Sequence, residues 1–255
     1  MRRLALLALL LPAVAMAAGS GYVKLPGGAF RTALKYEDRA GPTRIAPFEL
    51  MRTPVSNGEF LAFVRAHPQW RRDRVASVLA EPRYLSHWAA ADRLGGKALS
   101  VQPVVQVSWF AAQAYCESQG GRLPTWDEWE YAAAADERRT DARGDPAWRA
   151  RILSWYSRPS VDALPRVGLQ APNAYGVQDL HGLVWEWTGD FSALMISEDN
   201  RNQGDADNAR FCGAGALSMD DRENYAVLMR VAMLSSLGAR DTTANLGFRC
   251  ARDLP

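Results

Sequence analysis

Most of the side chains in this sequence that could do chemistry are acids, and several of them stand together. The stretch "RLPTWDEWEYAAAAD", Arg122 to Asp136, sets Asp127, Glu128, Glu130 and Asp136 around Trp126 and Trp129. Two neighbouring carboxyls can share general acid and general base work when their surroundings drive the two pKa values apart. The same letters also spell a helix start. Thr125-x-x-Glu128 is a capping box, and Asp127 and Glu128 fall in the first turn, where the helix dipole favours negative charge. Trp126, Trp129 and Ala133 recur at helical spacing on one face. The spacing predicts acids that cap and tryptophans that pack, rather than a catalytic pair.

Thiol and imidazole chemistry is sparse. The cysteines are Cys116, Cys212 and Cys250, so an oxidising compartment leaves one pair and one spare thiol, with three pairings open. His67, His87 and His181 are far apart, and no HxxxH, HxxE or CxxC spacing occurs. A zinc, copper or iron site has no support in these spacings. Neither a glycine-rich phosphate loop nor a GxSxG elbow is present.

The elements that must position these residues are short. "YVKLPGGAFRTAL" reads as two short strands around Gly27-Gly28. Ser56-x-x-Glu59 caps a helix carrying Phe60, Phe63 and Val64 on one face, and Pro68 stops it. Residues 69–100 read as a loop-rich insertion with scattered tryptophans. Ser108 caps a second helix that ends at Gly120-Gly121. Residues 137–170 read as a long surface loop. "NYAVLMRVAMLSSL" fits helix or strand equally by periodicity, and that choice stays open. The acidic stretch 197–208 reads as a solvated turn. The 9 tryptophans must be buried or line a groove, because exposed indole is costly.

The first residues have a different character. Met1 to Ala17 carries Arg2-Arg3, a short apolar run and the small-x-small pattern Ala15-Met16-Ala17, which reads as a cleavable secretory signal peptide. The run is too short to span a bilayer, and no cysteine follows for a lipid anchor. The expected location is periplasmic or secreted. Lys and Arg total 30 against 28 Asp and Glu; without Arg2 and Arg3 the two balance. That balance offers no nucleic-acid surface.

Four segments in order carry a resemblance: "PGGAF", "PVVQVSWFAAQAYCESQGGRLPTWDEWEYAAAA", "NAYGVQDLHGLVWEWTGDF" and "NLGFRCAR". Together they resemble the formylglycine-generating-enzyme, or sulfatase-modifying-factor, family across residues 22–252. The resemblance implies a single irregular α/β domain of the α+β kind, C-type-lectin-like and low in regular secondary structure. It implies that the RLPT-x-x-EWE segment is a structural signature at a helix start. It also implies a disulfide between Cys116 and Cys250.

The family oxidises a cysteine of a sulfatase peptide to formylglycine with molecular oxygen, on Cu(I) held by two cysteines. In this sequence those positions hold Asp221 and Ala226, or Ser218 at the first in another register, and the Gly-Gly-Ser before them reads Gly213-Ala214-Gly215. Oxygen ligands do not replace thiolates on soft Cu(I). Cys212 stays as a weak catalytic candidate near the rim of the family's substrate groove. The "GLVWEW" loop resembles a family calcium site, with Glu186 and the carbonyls of Gly182 and Val184 as ligands, although leucine replaces the usual asparagine at Leu183. Another family calcium site, built on an Asn-rich segment, has no match. Sulfoxide synthases of the superfamily hold iron on three histidines, mostly from an added domain absent here; His181 reads as structural.

The expectation is an exported member without cysteine-dependent oxidase activity. It would bind a protein or peptide partner and aid maturation of an exported metalloenzyme. Two rivals stay open: a metal-dependent oxidoreductase with a site near Cys212, and a periplasmic immunity-type interaction protein.

Overall fold

Alternating apolar side chains make Tyr22–Leu25 (β1) a half-buried strand, and Leu25 is sealed in the core. The chain turns at Gly27, whose φ of 64° puts any Cβ 2.3 Å from the Ile45 carbonyl oxygen. Only glycine fits there. Gly28–Phe30 (β2) follows, but β1 and β2 do not form a hairpin. β2 pairs antiparallel with Thr43–Ile45 (β3), while β1 pairs with Phe48–Met51 (β4). The turn therefore passes the chain from one sheet to another.

The computed structural model describes residues 21–33, 41–157, 163–193 and 225–254. The expected signal peptide, the acidic stretch 197–208 and Cys212 lie outside the described residues. The helices are Asn57–Ala66 (α1), Trp109–Ser118 (α2), Trp126–Ala133 (α3), Pro146–Tyr156 (α4) and Tyr225–Ser235 (α5). Ser56 and Glu59 complete their capping box, and Ser108 accepts from the Ala111 amide. Helix α5 settles the open choice in the "NYAVLMRVAMLSSL" run. Helix α4 corrects the loop expected over 137–170: Asp145 caps it and Pro146 opens its first turn. Its apolar stripe is thin, with only Trp148 and Ile152 buried, so periodicity hid it.

The C-terminal strands close the fold. Ala251–Asp253 (β7) adds to the other side of β4, giving the order β1-β4-β7. Trp185–Glu186 (β5) pairs in parallel with Leu246–Gly247 (β6). The fold is mixed α and β, and the described residues form three small open sheets joined by long loops.

Two apolar clusters flank α3: Trp126 belongs to one and Trp129 to the other. The larger cluster is built around Phe60, which meets Phe63, Trp88, Tyr115 and Phe248 ring to ring. Residues 69–100 are turn-rich as expected, yet Tyr84, Leu85 and Trp88 from this stretch are core residues. Cys116 on α2 and Cys250 beside β7 form a disulfide, and both are fully buried.

Candidate functional site

The first turn of α3 is held from three sides. Thr125 Oγ1 accepts from the Glu128 amide, and Glu128 accepts from the Thr125 amide at 2.9 Å. Arg122 grips Glu128 with two bonds of 2.7 Å. Asp190 accepts from the Trp126 amide at 2.8 Å. These acids do cap. Glu130, one turn further on, does something spacing did not reveal. Its carboxylate accepts from Thr32 Oγ1 (2.6 Å), the Ala33 amide (2.9 Å) and Trp126 Nε1 (2.9 Å), and Arg143 lies at 3.3 Å. Burial raises its pKa while these partners pull the other way. Closed off from solvent and bonded on both oxygens, it ties the N-terminal segment to α3 and is not placed to exchange a proton with a substrate.

Below α3 lies an ionic group centred on Glu186. Its carboxylate receives Arg249 in a fork, Nε and Nη2 each at 2.8 Å, and Trp129 Nε1 at 2.8 Å. Glu186 and Arg249 are both 0% exposed. Arg249 places its remaining donors on the carbonyls of Met51, Arg52 and Gln178, so all five N–H groups are used. Arg230 reaches in from α5. Its guanidinium lies 3.5 Å from the centre of the Trp129 ring and donates through Nη2 to the Glu186 carbonyl. Burial lowers its pKa to about 10, which leaves it charged at neutral pH.

His181 sits beside this group among the rings of Trp129, Trp148, Trp155 and Tyr156. Nε2 is 2.9 Å from the Ala133 carbonyl and Nδ1 is 3.2 Å from the Tyr156 hydroxyl. One tautomer satisfies both: Nε2–H donates to the carbonyl and Nδ1 accepts from the phenol. Burial lowers its pKa to about 4, so the ring is neutral at pH 7. The histidine is structural.

The expected calcium ligands do not fit an ion together. Both oxygens of the Glu186 carboxylate are bonded to Arg249, and its carbonyl is bonded to Arg230. A divalent cation brought to Glu186 would meet two buried guanidinium groups. Gly182 lies in the adjoining turn with φ of 81°, backed closely by Trp155, and Val184 is buried one residue before β5. Among the described residues no three His, Cys, Asp or Glu side chains converge as a metal site.

Of the positions matching the family's copper cysteines, Ser218 and Asp221 lie outside the described residues, and Ala226 falls within α5. No helix among the described residues is long and apolar enough to cross a membrane. Sequence reasoning missed the roles of Arg230, Arg143 and Glu130. For Arg230 a signal was present: a lone cation inside the apolar run of α5 must find a buried partner or a ring face.

The molecule is thus a mixed α+β domain, pinned by one buried disulfide and by a buried glutamate–arginine pair joining the WEW and GFR turns. Residues 10–254 match the sulfatase-modifying factor enzyme 1-like domain, and the chain belongs to that family. It is 31% identical to the formylglycine-generating enzyme of Streptomyces coelicolor, over 95% of this chain and 92% of that one. It is 29% identical to the bovine (Bos taurus) inactive C-alpha-formylglycine-generating enzyme 2, over 90% and 87%. The solved structure of PvdO from Pseudomonas aeruginosa aligns with a TM-score of 0.49 at 20% identity, covering 91% of this chain and 94% of that one.

Proposed function

We propose that this protein is a family member without cysteine-dependent oxidase activity, exported and acting by binding a protein or peptide partner. The observation that carries this reading is the cysteine inventory. The chain has three cysteines, and Cys116 and Cys250 are joined in a buried disulfide. One thiol, Cys212, remains, so a single chain cannot offer Cu(I) two thiolates. The oxygen side chains Ser218 and Asp221 at the matching positions do not stand in for a thiolate on this soft ion. A relative bearing the word inactive in its name is of comparable similarity to one named for the activity.

The scaffold is compatible with partner binding, which is part of the proposal. A rigid core with long connecting loops can carry variable recognition surfaces without catalysis. Maturation of an exported metalloenzyme is the partner role this reading favours.

Metal content tests it. Purified wild-type protein and the Cys212→Ser variant are assayed side by side by mass spectrometry. The expected result is no stoichiometric copper or iron in either. One copper or iron per chain, lost in Cys212→Ser, would overturn the proposal and favour an oxidoreductase centred on Cys212.

A further inference from the structure

Arg249 and Arg230 share one anionic neighbour, and only one of them is satisfied. Arg249 uses all five donors, and its fork takes both oxygens of Glu186. Arg230 is 1% exposed, and among the described residues it makes a single hydrogen bond, to a neutral carbonyl. Its Nε is enclosed without any acceptor, and Nη1 has none among the described residues. Tyr156 and His181, the other titratable groups beside it, are neutral at pH 7. Among the described residues the group therefore sets two positive charges against one negative.

The Trp129 ring answers part of this. At 3.5 Å its π-face attracts the cation. That attraction acts on the flat face of the guanidinium, whereas the N–H donors point outward in its plane and still need acceptors. An enclosed ionic donor without a partner is rare in native proteins and signals a bound water or ion. A water would supply an acceptor but no charge; an anion supplies both.

We propose that Arg230 holds a small monovalent anion, a halide or a carboxylate, at the Nε–H that is enclosed without an acceptor. The near-complete burial limits its size. The site does not depend on whether the protein has oxidase activity.

Thermal unfolding of the full chain in sodium chloride, sodium formate and sodium gluconate at matched ionic strength tests the site. Gluconate is the control, being too bulky to enter. Chloride or formate should raise Tm saturably, by roughly 3–10 °C at ten to a hundred times Kd. Arg230→Gln should abolish the difference from gluconate. Crystals of the wild-type protein grown in sodium bromide should show anomalous scattering at hydrogen-bond distance from Arg230 Nε or Nη1, and this map decides alone if the variant does not fold. Equal Tm in all three salts, an unchanged anion effect in Arg230→Gln, or bromide found only elsewhere would each overturn the proposal.

Discussion

Glu186 shows how much one side chain can carry. It neutralises Arg249, orients Trp129 and lends its carbonyl to Arg230. Glu186→Gln would leave a fully buried guanidinium without a counter-charge, at a cost of about 3–5 kcal/mol. Urea unfolding of the variant checks this; a loss below about 1 kcal/mol would mean that the pair is not enclosed as described. His181 gives a pH signature. Unfolded, its ring binds a proton near pH 6.5; folded, only near pH 4. Between these values the unfolded chain holds more protons, so acid favours unfolding. The contribution is complete above pH 6.5 and lost by about pH 4, and amounts to about 3 kcal/mol. His181→Phe, which keeps a ring among its aromatic neighbours, should flatten stability across that window by about this amount. An unchanged slope would place the acid sensitivity elsewhere. At this scale the sequence was legible where a residue's role is local. The capping acids and the packing tryptophans follow from spacing alone. Glu130 and Arg230 do not, because apart from Trp126 on α3 their partners lie on other segments along the chain.

The elements were legible in proportion to their local signals. Capping boxes marked the starts of α1 and α3, and both are formed. Thr125→Ala should cost about 1 kcal/mol, measured by denaturant midpoint, since it removes the hydroxyl that accepts from Glu128. Strand pairing was harder. β1 and β2 are adjacent in sequence yet join different sheets, and β7 reaches β4 from the far end of the chain. Nothing local encodes such partners. The β5 turn bears on calcium. With Glu186 committed to two arginines, a calcium chelator should leave Tm unchanged within error. A fall of several degrees, reversed by added calcium, would show that Gly182, Val184 and their neighbours bind the ion without Glu186.

The whole molecule is tied by Cys116–Cys250, which joins residues 134 apart in sequence. Closing a loop of that size stabilises by about 4–5 kcal/mol in the chain-entropy treatment. The double variant Cys116→Ser with Cys250→Ser should lose about that much stability under denaturant; a loss near zero would mean that packing alone sets the junction. The same bond supports the proposed function, because it leaves one cysteine thiol in the chain. The most direct measurement is turnover. The protein is incubated with a cysteine-containing sulfatase peptide, Cu(I), a reductant and oxygen, and the peptide is weighed by mass spectrometry. The expected result is unmodified peptide at every copper concentration. Formylglycine product in amounts exceeding the enzyme would contradict the claim that this family member has lost the oxidase reaction.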